Sequence, residues 1–227
     1  MKRILVSTAL LIGLFAILPQ AMTAPEPFEV PTTWELTFVF DPTQPITITL
    51  PGRKKSSTFW YMLYSVTNLT RNLETGRGAD QNFIPEFILY TDTGETVVSN
   101  RRLPNGVFAA IQKRHNNPLL KDHTQIIGKL LHGKDNAKDG VAIWPDFDAK
   151  AGSLDVFVGG LSGETAELKL PRPVTITETD AHGIEKTEVM YKIILHKSLQ
   201  LGFSIKGETG NRTYAKAKPT GKKWVLR

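Results

Sequence analysis

An acidic stretch in the middle of the chain has the spacing of a calcium-binding loop. On a 12-residue loop, Asp135 takes position 1, Asp139 position 5 and Asp146 position 12, with Gly140 at the turn. Calcium binds several carboxylate and carbonyl oxygens, and a glycine lets the backbone bring them together. Ala137 at position 3 has no ligand atom, however. We predict no obligatory cofactor, and calcium at Asp135, Asp139 and Asp146 is the alternative to a plain polar loop.

Other residues with chemical potential do not complete a known motif. His115, His123 and His132 would converge on one ion only if the chain folds back, and none has the His-x-x-x-His spacing. Gly160 to Gly163 matches half of a nucleophile elbow, but Glu164 stands where the elbow has glycine. Nothing pairs the carboxylates for glycoside hydrolysis. The sequence therefore predicts no catalytic residues and favours a protein that is not an enzyme.

The segment from 206 to 227 accounts for the net positive charge of the chain. The chain has a formal net charge of +6, and this segment holds seven basic residues against one acidic residue. Its Trp-Val-Leu run is β-prone and predicts a final edge strand that docks on the body. Cations around an indole also suit contact with an anionic partner. The candidate partner-binding residues are Lys222, Lys223, Trp224 and Arg227.

Aromatic side chains offer a further binding chemistry, because exposed rings line many carbohydrate and peptide grooves. Most of the candidates occupy strand positions that predict burial in the core. They are Trp34, Trp60, Trp144, Trp224, Tyr61, Tyr64 and Tyr90.

The first 24 residues have the pattern of a secretory signal peptide. Two basic residues precede an uncharged apolar run from 4 to 18, and small residues follow up to Ala24. The run is shorter than the roughly 20 residues that span a bilayer, so a retained anchor is the less favoured alternative. With no cysteine, disulfides, thiolate metal sites and lipid attachment through cysteine are excluded. A secreted or periplasmic protein beginning near Pro25, with no further membrane span, is expected.

Alternation of apolar and polar residues predicts a mainly β protein. Trp34, Leu36, Phe38 and Phe40 share one face of a strand. The stretch from 58 to 68 is aromatic and β-branched, as in a strand covered on both faces. Turn residues at 92–94 and 180–183 predict hairpins. Further strands are predicted at 46–50, 83–91, 95–99, 140–144, 154–158, 166–170, 174–179, 189–196 and 199–205.

The strongest helical pattern runs from Asn117, a capping residue, to Gly133, a stop. A shorter helix is expected at 107–114. Strands with a helical insertion at about 105–132 predict a β-sandwich over residues 25–208, followed by a basic tail at 209–227. A closed β-barrel is the alternative.

Residues 59–97 resemble immunoglobulin-like β-sandwich modules of exported bacterial proteins. In those modules one strand ends in Val-x-Asn and the next hairpin carries Tyr-x-Asp-x-Gly. The matching residues here are Val66-Thr67-Asn68 and Tyr90-Thr91-Asp92-Thr93-Gly94. The chain departs from the pattern in a long insertion between the two strands and a helical segment after them. The resemblance implies an immunoglobulin-like fold with a binding or structural role, and it carries over no functional residues.

The sequence therefore predicts an exported, non-catalytic module of the cell envelope or extracellular space. Its expected partner is another envelope or extracellular protein, or a polysaccharide; nucleic acid is not expected. The expected contact surfaces are the loop at 69–82, the helical insertion and the basic tail. The alternatives are a metal-dependent protein that uses the acidic loop at 135–148 and a carbohydrate-binding module.

Overall fold

The computed structural model describes residues 28–29, 34–72, 75–100, 103–179, 185–205 and 216–227. The predicted signal peptide, the turn at 180–183 and the first part of the basic tail lie outside these ranges. The elements are β1 (Phe28–Glu29), β2 (Thr37–Phe40), β3 (Gln44–Thr49), β4 (Ser56–Thr67), β5 (Gln81–Phe83), β6 (Glu86–Thr91), β7 (Thr96–Val98), α1 (Val107–His115), β8 (Gly128–Leu130), a 3-10 helix (Lys134–Asn136), β9 (Lys138–Pro145), β10 (Ser153–Gly159), β11 (Thr165–Thr179), β12 (Glu185–Ser204) and β13 (Lys218–Leu226).

The strands form open antiparallel sheets. The largest sheet has the order β1-β11-β12-β10-β6-β7, and β13 also pairs with β12. A second sheet has the order β2-β4-β3, with β9 paired to β4, and β5 pairs with β8 apart from both. In the described part of the chain neither large sheet closes on itself, so the barrel alternative is not what these strands form. The protein is mainly β, as predicted.

Side chains from both large sheets meet in one buried core. Trp60 and Met62 of β4 lie in the same cluster as Val156 of β10 and Leu201 of β12. The predicted alternation at the start of the body is confirmed, because Leu36 and Phe38 are buried there while Trp34 and Phe40 pack against the cluster. The two sheets therefore share their apolar faces.

A second core lies on the other face of β4. Phe59 and Tyr61, which alternate with the residues of the first core, pack with Val107 and Ile111 of α1. Strand β4 is thus covered on both faces, as its sequence predicted. The helix is a third layer over the smaller sheet.

The prediction of a helix from 117 to 132 is wrong, and the shorter expected helix is the one that forms. Asn116 ends α1 in the left-handed region, with φ 48°. Beyond it, Asp122 Oδ1 accepts hydrogen bonds of 2.8 Å from the backbone N–H groups of Thr124 and Gln125. This local turn competes with helical hydrogen bonding. Gly128, with φ 118°, then starts β8.

Three predicted connections have clear outcomes. The 92–94 hairpin is confirmed by the pairing of β6 with β7. The strands predicted at 166–170 and 174–179 are one strand, β11, and those predicted at 189–196 and 199–205 are one 20-residue strand, β12. The two long strands pair antiparallel. No helix in the described residues is both long and apolar enough to cross a membrane.

Candidate interaction site

The three aspartates predicted to bind calcium are not brought together. Asp135 lies in the 3-10 helix, Asp139 lies near the start of β9 and Asp146 follows its end. The extended strand places Asp139 and Asp146 roughly 23 Å apart at about 3.3 Å per residue. One ion cannot contact both carboxylates, so the predicted 12-residue loop is instead a strand. Among the described residues, no three histidine, aspartate or glutamate side chains are grouped to hold a metal ion. Calcium binding by any one of these aspartates stays a prediction.

Two of these aspartates accept hydrogen bonds from the protein. Asp146 Oδ1 accepts one of 3.0 Å from the indole N–H of Trp60 and one of 3.1 Å from the backbone N–H of Phe147. Asp139 Oδ2 accepts one of 3.5 Å from Asn117 Nδ2. Asp146 therefore satisfies a buried donor of the core.

The three histidines considered as metal ligands have separate surroundings. His115 Nε2 lies 2.8 Å from the hydroxyl of Tyr61, and the guanidinium of Arg114 lies 5.9 Å from the Tyr61 ring centre. Burial raises the pKa of Tyr61 above its usual value near 10. Burial, and then the charge of Arg114, lowers the pKa of His115. His123 lies beside Thr124, and the backbone N–H of His132 donates to Asp80. The His115–Tyr61 pair anchors the end of α1 to the sheet.

The serine of the partial elbow stabilises a turn between β10 and β11. Ser162 Oγ donates to the carbonyl of Trp34 at 3.3 Å and accepts from the backbone N–H of Glu164 at 3.1 Å. Gly160 has φ 78°, a conformation that glycine adopts without strain. These contacts give Ser162 a structural role.

The predicted docking of the basic tail as a strand is confirmed for the part that the structure describes. Trp224 lies opposite Leu199 in the pairing of β13 with β12 and packs against the larger core. Arg227 stacks on Phe157, with its guanidinium 4.7 Å from the ring centre. Lys222 and Lys223 remain exposed. A partner-binding role for these four residues is untested by this geometry.

Most of the aromatic candidates belong to the core. Trp60, Trp144 and Tyr61 are fully buried, and Tyr64 is 4 % exposed. Tyr90, at 36 % exposed, packs edge to face against Phe157. The described residues therefore leave these rings little surface on which a sugar could stack.

The loop predicted as a contact surface at 69–82 is tied down at its start. Asn68 is fully buried, and its Nδ2 donates to the carbonyls of Ala79 at 2.8 Å and Leu130 at 3.0 Å. Its Oδ1 accepts from the N–H of Thr70 at 3.0 Å. One side chain thus satisfies three backbone groups of neighbouring segments.

In the described part of the chain, β11 and β12 continue as an antiparallel pair beyond the strands that flank them in the body. Strand β13 pairs with β12 only from residue 197 of β12 onwards, and β10 pairs with β12 only from residue 199 onwards. Strand β1 pairs with β11 only at residues 166 and 167 of β11. Residues 168–179 and 185–195, which we call the arm, pair only with each other in the described structure. At about 3.3 Å per residue the arm is roughly 35 Å long.

Apolar side chains are concentrated on the arm. Of thirteen exposed large hydrophobic side chains in the described part of the chain, six lie there, namely Val174, Ile176, Val189, Tyr191, Ile193 and Ile194. Tyr191 is 67 % exposed and Val189 is 46 % exposed. Val189, Tyr191 and Ile193 lie on one face of the arm, and Val174, Ile176 and Ile194 lie on the other. Both faces of the arm therefore expose apolar side chains of a kind that is common at interaction surfaces.

The face of β12 that forms the core continues onto the arm. Leu199, Leu201 and Phe203 are buried in the larger core. Side chains alternate between the faces of a strand, so Ile193 and Tyr191 lie on the same face. The body covers this face only as far as the second sheet extends. The arm therefore presents core-type residues without the layer that covers them in the body.

The two edges of the arm differ. Along β11 the register shifts between Lys169 and Val174, so that residues 170–173 stand opposite Tyr191 alone. Pro171 and Pro173 in this segment have no N–H to donate, and prolines of this kind protect an edge strand from further pairing. The edge of β12 contains no proline from 185 to 204. It is the edge that can accept another strand.

The hydrogen-bonding groups of that open edge can be assigned from the base of the arm. Lys197 donates its backbone N–H to the carbonyl of Glu164 at 3.1 Å, whereas His196 donates to the carbonyl of Arg227 at 2.8 Å, on the side of β13. Successive residues of a strand direct these groups to opposite sides. The N–H and C=O groups of even-numbered residues from 186 to 194 therefore point to the open edge.

Sequence reasoning missed the arm because it divided each long strand in two. The signal was present in residues 189–194, where apolar side chains occupy both faces of the strand although no covering segment could be assigned. Comparison with family models, with curated proteins and with solved structures finds no match for this chain.

Proposed function

We propose that this protein is an exported, non-catalytic binding module of the cell envelope or extracellular space. Its body is an immunoglobulin-like β-sandwich with a helical layer, and its arm binds a partner protein. The observation that carries this proposal is the arm, which combines exposed apolar side chains with a strand edge that no other described strand pairs with.

The sandwich assignment is supported by the shared core and by two turns. The apolar faces of both open sheets contribute to one cluster. Asn68, at the end of the Val-x-Asn sequence, connects three backbone groups. Asp92, in the Tyr-x-Asp-x-Gly turn, accepts hydrogen bonds from the N–H groups of Gly152 and Ser153 at 3.0–3.1 Å. Both sequences thus organise connections of the body, which supports the proposed assignment.

Partner binding through the arm follows from two contributions to the free energy. An extended segment that adds to the open edge forms backbone hydrogen bonds, which give affinity with little dependence on sequence. Burial of Tyr191 and its apolar neighbours adds about 25 cal/mol for each Å² removed from water. A long exposed edge with an apolar surface is prone to aggregation unless it has a partner. The arm is therefore best explained as a binding element.

The first experiment compares the purified chain with a Val189→Ser/Tyr191→Ser variant. Immobilised chain is exposed to envelope proteins of the source cells, and we expect specific capture that the variant loses while its melting temperature stays close to that of the original. Leu119→Ser is the matched control, because Leu119 is 78 % exposed but lies outside the arm. Equal capture by all three proteins would contradict arm-dependent binding.

A second experiment tests the non-catalytic part of the proposal. The purified chain is incubated with panels of ester, glycoside and peptide substrates. We expect no turnover above buffer. Reproducible hydrolysis that follows the protein through purification would overturn this part of the proposal.

A further inference from the structure

We propose that the partner of the arm is a second copy of this chain. The two arms pair antiparallel through residues 186–194 of β12, with Met190 of one copy opposite Met190 of the other at the two-fold axis. This inference rests on the proposed function, because it names the partner that the arm binds. It is argued from backbone geometry, from charge and from side-chain pairing.

The backbone geometry allows this pairing. Even-numbered residues direct their N–H and C=O groups to the open edge, as the hydrogen bonds of His196 and Lys197 establish. With Met190 at the axis, even residues of one copy oppose even residues of the other. The paired stretch begins with Lys186 opposite Ile194 and ends with Ile194 opposite Lys186. On the order of ten backbone hydrogen bonds then join the two strands.

Charge complementarity selects the register. With Met190 on the axis, Glu188 of each copy lies directly opposite Lys192 of the other, which gives two symmetric pairs of opposite charge. A shift by two residues in one direction places Lys186 opposite Lys192, and a shift in the other direction places Glu188 opposite Ile194. Opposite charges across a ladder stabilise it and like charges destabilise it. Of these three registers, only the central one pairs Glu188 with Lys192.

The apolar side chains agree with the same register. Val189 of each copy falls opposite Tyr191 of the other, and an aromatic residue beside a β-branched one is a favourable cross-strand pair. These are two of the most exposed apolar side chains of the arm. Their pairing shields part of each side chain from water.

An unfavourable contact within the arm is also relieved. Lys169 and Lys192 lie directly opposite each other in the β11–β12 ladder. One carboxylate is close, since Glu167 Oε2 lies 2.8 Å from Lys192 Nζ. In the dimer, Glu188 of the second copy adds a second carboxylate beside the two ammonium groups. The dimer therefore lowers the local repulsion between Lys169 and Lys192.

The assembly closes at two copies. A two-fold axis uses the same edge of both chains, so pairing leaves no equivalent edge free. The outer edge of β11 is interrupted by Pro171 and Pro173 and does not continue the sheet. A defined dimer is expected, and not a fibre.

The test measures the molar mass of the purified full chain by size exclusion with light scattering and the dissociation constant by analytical ultracentrifugation. The original chain is expected to be a dimer. Glu188→Lys places lysines opposite lysines, and Lys192→Glu places glutamates opposite glutamates. Each is expected to weaken the dimer by about tenfold to a hundredfold.

Two further samples separate specific pairing from damage to the fold. The Glu188→Lys/Lys192→Glu double variant restores opposite charges and is expected to regain the dimer. An equimolar mixture of the two single variants is expected to form a heterodimer, because both charge pairs are then attractive. Glu185→Lys is the matched control: it makes the same charge change on the arm, opposite Leu195 in this register, and should change the dissociation constant by less than about threefold in physiological salt.

The outcomes distinguish this inference from the proposed function. A chain that is monomeric at every concentration overturns the dimer, while arm-dependent capture of another protein would still support the binding module. A dimer that is unaffected by either single variant, or that the double variant fails to restore, overturns the proposed register. If the original chain captured no protein through its arm and also turned over a substrate, the proposed function itself would be overturned.

Discussion

The indole N–H of Trp60 donates a 3.0 Å hydrogen bond to Oδ1 of Asp146, and this bond joins a fully buried side chain to the residue that follows β9. In the sequence, Asp146 takes position 12 of the calcium loop that was the alternative to a plain polar loop. In the structure its carboxylate satisfies a donor that would otherwise lose its partner in the core. The position of an aspartate in a motif therefore did not reveal what it binds.

We expect Asp146→Ala to lower the free energy of unfolding by about 1 kcal/mol, because it removes the acceptor of the buried Trp60 N–H. The loss stays moderate since Asp146 itself is exposed and water can approach in its place. Urea unfolding followed by tryptophan fluorescence measures the change. Asp135→Ala, which alters an exposed aspartate of the same predicted loop, is expected to change stability by less than half as much.

A chelator separates this role from calcium binding. We expect the melting temperature of the original chain to be the same with and without EDTA. We also expect added calcium to leave unchanged the difference in free energy of unfolding between the original chain and Asp146→Ala. If EDTA lowered the melting temperature of the original chain but not that of Asp146→Ala, the calcium alternative would regain support.

The His115–Tyr61 pair predicts a loss of stability in weak acid. Burial and the charge of Arg114 lower the pKa of His115 below its usual value near 6.5. The folded chain therefore binds this proton less readily than the unfolded chain does. The contribution of neutral His115 to stability is complete above about pH 6.5, the pKa in the unfolded chain. It is lost as the pH falls through the pKa of His115 in the folded chain, which is lower.

His115→Gln removes this titration while keeping a polar side chain near Tyr61. Between pH 7 and pH 5 we expect the melting temperature of the original chain to fall by more than that of the variant. His123→Gln, at an exposed site beside Thr124, should behave as the original chain does. If the melting temperatures of the original chain and of His115→Gln fell equally between pH 7 and pH 5, His115 would not contribute to the pH dependence of stability.

Gly140 gives a third prediction. A Cβ atom at this position would lie 2.5 Å from the Tyr64 ring, which packs across the glycine in the larger core. We expect Gly140→Ala to destabilise the fold by about 1–3 kcal/mol, the usual cost of overpacking a core. Gly221→Ala is the matched control, because it also lies in a strand but its Cβ would meet no atom within 4 Å. A similar effect of both substitutions in urea unfolding would contradict this explanation.

The same glycine shows where sequence reasoning succeeds and where it stops. Alternation correctly predicted the strand that contains Phe38, because burial on one face imposes a period of two on the sequence, as at Leu36 and Phe38. Gly140 was expected at the start of a strand and, in the calcium alternative, at the turn of the loop, but a pattern cannot show that a ring from another strand crosses it. That contact depends on the pairing of β4 with β9, which places Tyr64 opposite Gly140.

The helix was misplaced for a related reason. Apolar residues between 117 and 132 have helical spacing, but they are divided between environments: Leu120 joins the smaller core, Ile126 joins the larger one and Leu119 is exposed. A helix presents one apolar face to one core. The spacing of apolar residues in the sequence does not show whether they pack into one core or into two.

The arm could not be assigned from sequence because its length depends on where its neighbours end. Residues 189–196 and 199–205 both read as strands, and Lys197-Ser198 between them reads as a break. In the structure Lys197 continues the strand, with its ammonium paired to Glu35 at 3.2 Å and Glu164 at 2.7 Å. The polar residues mark the place where the arm leaves the body.

The geometry of the open edge predicts an alternation in amide hydrogen exchange along the arm. The N–H groups of Val189 and Ile193 point towards β11, and those of Glu188, Met190 and Lys192 point to the open edge. In a Glu188→Lys variant diluted to a monomer, we expect the first two amides to exchange slowly and Met190 and Lys192 to exchange at least tenfold faster. Residue-resolved exchange by NMR measures this difference.

The original chain, at a concentration where it is dimeric, provides the comparison. Protection of Met190 and Lys192 should then rise to the level of Val189 and Ile193, because a strand of the second copy accepts their hydrogen bonds. If amide protection alternated along the arm in the dimer as it does in the monomer, the contact between copies would lie on a face of the arm and not on its edge. Uniform protection in the monomer would mean that a segment of the same chain already covers the edge, and the arm would then have no free strand to offer a partner.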